Sequence, residues 1–389
     1  MNPPLRLLTA VPICDGHDSA ITTINLEFIR RGIEVIYLGY HRSARDIVRA
    51  AIQEDVRAIG LSSYNGGHVE FFSEVRKGLD AAGARDIGLF GGGGGTITTA
   101  DARAMKRRGV DEVFFAGTPL DDMTAWVQKT YGAKSKRVIL PKRSAPPISD
   151  LPLARLLTQV ECHKAGRATP CAPSASSSTR RGAHGVTRPT SVPKVFGITG
   201  PGGAGKTTLL DELVLRFLRS RQTSRVAILS HDPSVVGRGA LLGDRATMIH
   251  SQDDRVFMRS LATRGQAGGL SSATARCLKL LRSAGFDLVL VETVGIGQEA
   301  APFMREHVDK TVLVMNPTYG AQLQLQKIVM LDVADVVVVN KADLAGAPTA
   351  RAEIERRLEL NGRGQKLFTT VAKRHGDPGV DELFRELLP

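Results

Sequence analysis

A strand pattern, a glycine-rich turn and a helix pattern follow one another between residues 194 and 212, and they restrict the fold more than any other segment. The segment reads KVFGITGPGGAGKTTLLDE, in which Gly200, Gly205, Lys206 and Thr207 have the spacing Gly-x4-Gly-Lys-Thr. Glycines let the backbone wrap a phosphate, whose charge is met by backbone N–H groups and by the helix N-terminus. The segment therefore predicts a phosphate-binding loop in a parallel α/β sheet.

Two side chains of this loop have predictable roles. We expect Lys206 to reach the β- and γ-phosphates of a nucleotide, and the Thr207 hydroxyl to ligate Mg²⁺. The remaining nucleotide contacts are expected from Gly200, Gly202, Gly203, Ala204, Gly205 and Thr208.

The base of that nucleotide is predicted by a second motif. Asn340, Lys341 and Asp343 form the pattern Asn-Lys-x-Asp directly after the apolar run VVVV. A carboxylate at Asp343 can accept hydrogen bonds from N1–H and N2–H₂ of guanine, a pair of donors that adenine lacks. The nucleotide is therefore predicted to be GTP, and we expect a further base contact from the backbone of Ala372 within TTVAK (369–373).

Three carboxylates lie between these motifs and are candidate Mg²⁺ ligands, directly or through water. They are Asp232 in LSHDPS, Asp244 in LLGDRATM and Glu292 at the end of FDLVLVE. Carboxylate oxygens suit Mg²⁺. For Asp244, an ordinary surface acid is the alternative.

GTP cleavage is expected to depend on Lys206, Glu292 and Gly295. The backbone N–H of Gly295 would bind the γ-phosphate, which would make TVGIGQ a segment that senses hydrolysis. Gln298 and Arg238 are the candidates for orienting the attacking water, and we expect slow intrinsic turnover.

The first third of the chain alternates between two patterns. Strand patterns lie at 5–13, 33–38, 56–61, 87–90 and 112–115, and helix patterns lie at about 18–31, 43–54, 69–82, 98–109 and 119–131. Such alternation predicts a doubly wound parallel sheet, which binds ligands beyond the carboxyl ends of its strands. The segments CDGHD, SSYNGG and GGGGG follow the first, third and fourth strands, so we expect them at one edge.

Each of these segments has a simpler alternative when taken alone. Asp15 and His17 in CDGHD are compatible with an ordinary turn, and the run Gly91–Gly95 is compatible with a flexible loop. A glycine run between a strand and a helix also allows a large planar or tail-like group to approach the backbone closely.

The combination resembles the cobalamin-binding domain of adenosylcobalamin-dependent mutases and of methionine synthase. Asp15-x-His17, then Ser62, then the glycine run follow that family's order over about residues 5–131. Ala20 and Tyr64 depart from the usual Gly and Leu, and DGHDSA, LSSYNGGHVEFF and FGGGGGTI look most like the fused isobutyryl-CoA mutases.

The resemblance implies a flavodoxin-like domain that binds adenosylcobalamin. His17 would be the lower axial ligand of cobalt, and Asp15 would accept the other imidazole N–H and fix the tautomer. The nucleotide tail of the cofactor would lie beside Ser62, Gly91, Gly92, Gly93, Gly94 and Gly95.

A second resemblance covers about residues 194–389. The segments GALLGDRATM, FMRSLATRG, DLVLVETVGIGQ and NKAD resemble the G-protein chaperones of methylmalonyl-CoA mutase. This implies a P-loop GTPase domain that gates cofactor loading and protects a mutase. The loop from Asn316 to Lys327 would be a third switch that carries the nucleotide state to that partner.

The positive charge of the chain lies largely between the two halves. The formal net charge is +13, and residues 134–190 hold eleven Lys and Arg against Asp150 and Glu161. This Ser-, Pro- and Arg-rich stretch predicts a linker with a short helix near LARLLTQVE. The expected domains are therefore 1–133 (cobalamin-binding), 134–193 (linker) and 194–389 (GTPase), with no nucleic-acid partner.

Cysteine content and hydropathy bear on location. Four cysteines in 389 residues do not make a disulfide framework, which favours a reducing cytoplasm. No apolar run reaches the roughly 18 residues of a membrane span, so we expect no membrane partner.

The function implied is a GTP-hydrolysing chaperone joined to an adenosylcobalamin-binding domain. Because no barrel pattern follows, it would serve a methylmalonyl- or isobutyryl-CoA type mutase whose catalytic barrel is on another chain. Two alternatives stay open: a truncated remnant of a fused mutase without mutase activity, and a cobalamin-binding regulator switched by GTP. A homodimer is also left open.

Overall fold

Two parallel β-sheets, each flanked by helices, make up the protein. The structure is a computed structural model that describes residues 4–13, 19–132, 147–162, 192–234, 238–295, 303, 307–319 and 329–388. All the strand pairings of both sheets are parallel within these residues. The doubly wound α/β class expected for both halves is confirmed.

The first sheet has the strand order β5-β4-β3-β1-β2-β8. Its strands are β1 (Arg6–Ala10), β2 (Glu34–Tyr37), β3 (Ala58–Ser62), β4 (Gly88–Gly93), β5 (Glu112–Phe115) and β8 (Ala240–Leu242). The first five have the flavodoxin-like order, so the direction of winding reverses between β1 and β3. This places the predicted ligand edge at the carboxyl ends of those two strands.

Helices connect these strands at the predicted places. They are α1 (Ser19–Arg30), α2 (Ala44–Gln53), α3 (His68–Ala81), α4 (Thr99–Arg107) and α5 (Leu120–Tyr131). The Ser43 side chain accepts a hydrogen bond from the backbone N–H of Asp46 at the start of α2, and Thr98 and Asp101 form a capping box on α4. These contacts satisfy N–H groups that the first helical turn leaves unpaired.

The sequence suggested that the glycine run follows the fourth strand, but the structure places the first three of these glycines inside that strand. Gly91, Gly92 and Gly93 are part of β4. A Cβ on Gly91 would lie 2.4 Å from the Leu61 carbonyl oxygen, and one on Gly93 would lie 1.8 Å from that of Ser63. The expectation of a five-residue loop is therefore wrong for these three positions, which are glycine because neighbouring backbone leaves no room for a side chain.

The second sheet has the order β13-β12-β11-β6-β10-β7-β9. Its strands are β6 (Lys194–Thr199), β7 (Val226–Asp232), β9 (Val256–Ala262), β10 (Leu288–Glu292), β11 (Lys310–Met315), β12 (Val336–Asn340) and β13 (Lys366–Thr370). The strand that leads into the glycine-rich turn, β6, lies between β10 and β11. The carboxyl ends of all three therefore meet at one edge.

The helices of the second half complete this domain. They are α7 (Lys206–Ser220), α8 (Asp244–Thr247), α9 (Thr274–Arg282), α10 (Val329–Val333), α11 (Ala347–Asn361) and α12 (Pro378–Leu387). Within the described residues, no helix has the length and apolar character needed to cross a bilayer.

One helix lies in the segment predicted as a linker. Helix α6 (Asp150–Cys162) contains the short helix expected near LARLLTQVE. Leu153, Ala154 and Leu157 are fully buried in an apolar cluster with residues of the second sheet, while Arg155 binds Asp86 of the first domain at 2.6 Å. Helix α6 thus packs on the second domain and contacts the first.

Candidate functional site

The loop after β6 has the conformation that its glycines predict. Gly200, Gly203 and Gly205 have φ values of +145°, +73° and +84°, a region that other residues rarely adopt. A Cβ on Gly200 would also lie 2.0 Å from the Val314 carbonyl oxygen. Gly205 caps α7, so the helix N-terminus and its positive potential face the loop.

Lys206 lies inside this loop. Its Nζ donates hydrogen bonds to the carbonyl oxygens of Gly200 (3.0 Å) and Pro201 (3.1 Å). Burial lowers the pKa of Lys206, and the carboxylates of Glu292 and Asp244 oppose that shift. The ammonium is thus held where a phosphate chain would enter.

Gly295 lies directly against the loop, as the sequence predicted. A Cβ on Gly295 would lie 2.6 Å from Cα of Gly202 and 3.1 Å from Nζ of Lys206. A side chain at 295 would therefore fill the space beside the lysine. The position fits a backbone contact to the terminal phosphate, which remains a prediction.

Thr207 and the three predicted carboxylates meet at the carboxyl ends of β7 and β10. The Thr207 hydroxyl donates to Glu292 Oε1 at 2.7 Å, and the Ser230 hydroxyl donates to Asp244 Oδ2. Burial, with the nearby Asp244 charge, raises the pKa of Glu292 and of Asp232 to about 8. Burial also raises the pKa of Asp244.

These residues fit Mg²⁺ bound together with a nucleotide. Glu292 Oε2 and Asp232 Oδ2 are buried, and neither has a hydrogen-bond partner among the residues that the structure describes. In the described residues, no three His, Cys, Asp or Glu side chains form a ready chelating group. Mg²⁺ in nucleotide sites takes few protein ligands and completes its shell with phosphate oxygens and water, so the Thr207 hydroxyl and these two orphaned oxygens fit it.

The predicted base-binding residues also come together. Asn340 donates through Nδ2 to the Ala204 carbonyl oxygen (2.9 Å), and its Oδ1 accepts from the Thr370 hydroxyl (3.0 Å) and the Ala372 N–H (3.1 Å). Asn340 therefore ties the phosphate loop to the base-binding loop, which explains its place in the motif.

Asp343 already has a cationic partner. Its Oδ2 lies 2.6 Å from Nζ of Lys373, whose side chain is 67% exposed. That hydrogen bond lowers the pKa of the Asp343 carboxyl. Lys341, with φ +59°, precedes it in a left-handed conformation. An exposed lysine can swing aside, so Asp343 remains available to read a base.

The structure describes only one of the two candidates for orienting water. Arg238 is exposed, and Gln298 lies outside the described residues. Most of the proposed third switch, residues 320–327, also lies outside them. The described part of that loop includes Asn316, whose Oδ1 accepts from the backbone N–H of Thr318 at 3.0 Å.

A cavity of about 420 Å³ lies at the ligand edge of the first sheet. Ser62 and Gly91, Gly92, Gly93 and Gly94 line it, together with apolar residues that include Phe114 and Met123. Gly95 does not line this cavity. Its dimensions and mostly apolar wall suit a bulky planar group. Asp15 and His17 lie outside the described residues.

Sequence reasoning missed a buried ionic cluster between the two domains. Arg6 and Glu54 of the first domain pair at 2.8 Å, and Glu54 also binds Arg245 of the second at 3.1 Å. Glu161 of α6 binds Arg259 at 3.0 Å. A sequence signal existed, because these charges interrupt apolar runs such as VFMRSLA, and charges are rarely buried without partners.

His231 is a second residue that the motifs did not indicate. Its ring is fully enclosed, with Nδ1 2.8 Å from the Glu292 carbonyl oxygen and Nε2 2.8 Å from the Thr274 hydroxyl. Burial lowers its pKa to about 4. His231 therefore fixes the end of β10 relative to β7 and α9.

Comparisons with known proteins agree with both resemblances. The family described as methylmalonyl Co-A mutase-associated GTPase MeaB matches residues 153–387, and the B12 binding domain family matches residues 5–121. The first match includes all but the first three residues of α6, which lies in the segment predicted as a linker.

Curated relatives align along nearly the whole chain. The fused isobutyryl-CoA mutase of Geobacillus kaustophilus is 38% identical over 403 residues, which cover 99% of this chain and 36% of that protein. The fused isobutyryl-CoA mutase of Cupriavidus metallidurans is 38% identical over 401 residues (99% and 35%). The mouse mitochondrial methylmalonic aciduria type A homolog is 32% identical over 197 residues (48% and 46%). The chain thus spans about a third of the length of the fused mutases.

Proposed function

The chain belongs to the MeaB family of methylmalonyl-CoA mutase-associated GTPases and has a B12-binding domain before it, and we propose that it serves an adenosylcobalamin-dependent acyl-CoA mutase. The catalytic barrel of that mutase is a partner outside these 389 residues. Its substrate would be of the methylmalonyl- or isobutyryl-CoA type.

One observation carries the assignment of the GTP site. Lys206 and Thr207 come from one chain segment, Glu292 and Gly295 come from another, and the two segments meet at the phosphate-binding loop. Glu292 Oε2 and Asp232 Oδ2, which accept no hydrogen bond from any described residue, support a role in holding Mg²⁺. When bound, Mg²⁺ would neutralise charge on the β- and γ-phosphates.

The chain's own groups would then promote hydrolysis by electrostatic stabilisation. Water attacks the γ-phosphorus, and the bond to the β–γ bridging oxygen breaks as GDP leaves. Lys206 and the N–H groups of the loop stabilise the negative charge that develops on the phosphate oxygens. The mechanism assigns no general base, and we therefore expect slow turnover.

The cavity at the edge of the first sheet supports cofactor binding. Its glycine-lined wall lets a planar group approach the backbone of β4, and Ser62 adds a polar contact. We place the nucleotide tail of adenosylcobalamin there and assign cobalt ligation to His17, with Asp15 as its hydrogen-bond partner. The low cysteine content supports a reducing compartment such as the cytoplasm.

Two measurements test the two halves separately. Adenosylcobalamin titration should give the visible spectrum of the base-off, histidine-ligated form with the parent chain but not with His17→Ala. The same spectrum from both proteins would refute the assignment of His17. GTP hydrolysis should fall at least about a hundredfold in Lys206→Ala, and unchanged hydrolysis would refute the assigned site.

A further inference from the structure

A short segment of the second domain, residues 239–246, takes part in the structure of both domains. We call it the bridging segment. It contains strand β8, which belongs to the first sheet, and the start of α8, which carries Asp244. The nucleotide site therefore receives one of its carboxylates from a segment that is paired with the other domain.

The backbone of this segment is fixed to the first domain by β-sheet pairing. Strand β8 pairs in parallel with β2, and Ala240 stands opposite Glu34. The Gly239 N–H donates to the Ile29 carbonyl oxygen at 2.9 Å. A Cβ on Gly239 would lie 1.9 Å from the Ile33 carbonyl oxygen. The close contact requires glycine at 239.

Side chains of the first domain hold the C-terminal end of the segment. Arg245 is fully buried, and its guanidinium donates to Glu54 Oε1 (3.1 Å) and to Gln53 Oε1 (3.1 Å). Arg42 donates through its guanidinium to the Ala246 carbonyl oxygen at 2.6 Å. A buried arginine that loses its carboxylate leaves an uncompensated charge, so Glu54 strongly favours this position of Arg245.

The neighbouring residue faces the nucleotide site. Asp244 accepts a hydrogen bond from Ser230 on β7, and its charge raises the pKa of both Asp232 and Glu292. Because positions 244 and 245 are consecutive, a displacement of the Arg245 side chain moves the backbone that carries Asp244. The residue held by the first domain and the residue that faces the nucleotide site are therefore adjacent in the chain.

We propose that Glu54 and Arg42 of the B12-binding domain are positioning residues for the GTP site, because they hold Asp244 in place through the bridging segment. The GTPase site of this chain is then completed by its neighbouring domain. The inference rests on the proposed GTP site and on the role that the sequence predicts for Asp244, as a ligand of Mg²⁺ directly or through water.

The test compares Glu54→Gln and Arg42→Met with Glu70→Gln, an exposed glutamate on α3 of the same domain. For each full-length protein, the affinity of a non-hydrolysable GTP analogue is measured in EDTA and in saturating Mg²⁺. We expect the gain in affinity from Mg²⁺ to shrink at least about fivefold in both variants, since displaced outer partners typically weaken metal sites tenfold or more. In EDTA, the affinity of Glu54→Gln and Arg42→Met for the analogue should stay within about twofold of the parent. For Glu70→Gln, the affinities in EDTA and in Mg²⁺ should both stay within about twofold of the parent.

Hydrogen–deuterium exchange of residues 239–246 gives a readout that does not depend on nucleotide. Exchange there should become faster in Glu54→Gln and Arg42→Met and stay unchanged in Glu70→Gln. Arg42 is half-buried, whereas Glu54 is fully buried. If Glu54→Gln does not fold, Arg42→Met therefore decides whether the first domain positions Asp244.

Asp244→Asn separates this inference from the role on which it rests. A reduced Mg²⁺ effect in Asp244→Asn, with a normal effect in the folded variants of Glu54 and Arg42, would overturn only the positioning role. A normal Mg²⁺ effect in Asp244→Asn would overturn the role of Asp244 and, with it, the inference.

Discussion

The Thr207 hydroxyl donates its hydrogen bond to Oε1 of Glu292, at 2.7 Å, across 85 positions of the chain. Because the proton points towards the carboxylate, the lone pairs of the hydroxyl oxygen remain free to face a cation. The second carboxylate oxygen of Glu292 is buried and has no hydrogen-bond partner within the described part of the chain. The geometry of the pair therefore suits a metal–phosphate complex.

This arrangement predicts different effects for two substitutions at Thr207. Thr207→Ser keeps the hydroxyl and should retain most Mg²⁺-dependent GTP hydrolysis. Thr207→Val keeps the side-chain volume but removes the oxygen, and should lower kcat at least about tenfold. Steady-state hydrolysis across a range of Mg²⁺ concentrations measures both. Equal rates for the two variants would contradict a ligand role for this hydroxyl.

The raised carboxyl pKa values predict how stability depends on pH without nucleotide. Burial is the main reason that the pKa of the Asp232 carboxyl is raised from an ordinary 3.8 to about 8 in the folded chain. The folded state therefore holds more protons than the unfolded state between these values, and stability falls as pH rises through that window. In EDTA, we expect the melting temperature to drop by at least about 2 °C between about pH 5 and pH 8.

Replacing Asp232 by a residue that cannot ionise tests whether this carboxyl causes the pH dependence of stability. Asp232→Asn should reduce this drop in melting temperature. Asp122→Asn, which replaces an exposed carboxylate on α5, should leave the drop as it is in the parent. The same slope in all three proteins would show that burial of Asp232 does not produce the pH dependence. Mg²⁺ with nucleotide should flatten the slope, since it favours the ionised carboxylates.

Much of the fold and the GTP site could be predicted because their signals are local. The phosphate loop needs a strand, glycines and a helix within about twenty residues, and Asn340 and Asp343 follow their strand directly. The five alternating strand–helix units of the first domain could likewise be predicted from the period of their apolar residues and the length of each segment. The meeting of Thr207 with Glu292 followed from adjacent carboxyl ends in a parallel sheet.

The features that the sequence did not reveal depend on pairing between distant segments. Strand β8 is three residues long and joins a sheet about 200 positions earlier in the chain, and no local period indicates that partner. The sequence does not indicate that Arg245 is buried, because its counter-charge, Glu54, lies 191 positions away in the chain. The glycines of β4 looked like a loop because composition does not show which neighbouring backbone excludes a Cβ.

Base recognition can be tested by a substitution at Asp343 that changes the nucleotide preference of the site from GTP towards XTP. Asp343→Asn should lower GTP affinity at least about a hundredfold, because the amide cannot accept from both guanine donors. The same amide can accept from N1–H and donate to the 2-oxo group of xanthine, so binding of XTP should improve. Competition between GTP and XTP for the parent and the variant measures the change. Loss of both nucleotides, or of neither, would contradict the assigned contact.

The glycines of β4 give a final prediction for the cofactor domain. A Cβ at Gly93 would lie 1.8 Å from the Ser63 carbonyl oxygen, whereas a Cβ at Gly66 would meet nothing within 4 Å. Gly93→Ala must therefore push the end of β3 away, at a cost of about 1–3 kcal/mol in the free energy of unfolding, and should weaken adenosylcobalamin binding because Gly93 lines the cavity.

Gly66→Ala is the matched control, since it lies in the loop after β3 and does not line that cavity. It should change neither the denaturation midpoint nor cofactor affinity by more than the small effect typical of an exposed site. Chemical denaturation and spectroscopic titration of both variants provide the comparison. If Gly93→Ala matched Gly66→Ala in both measurements, the close backbone contact would not be what requires glycine in β4, and the tail of the cofactor would have to lie elsewhere.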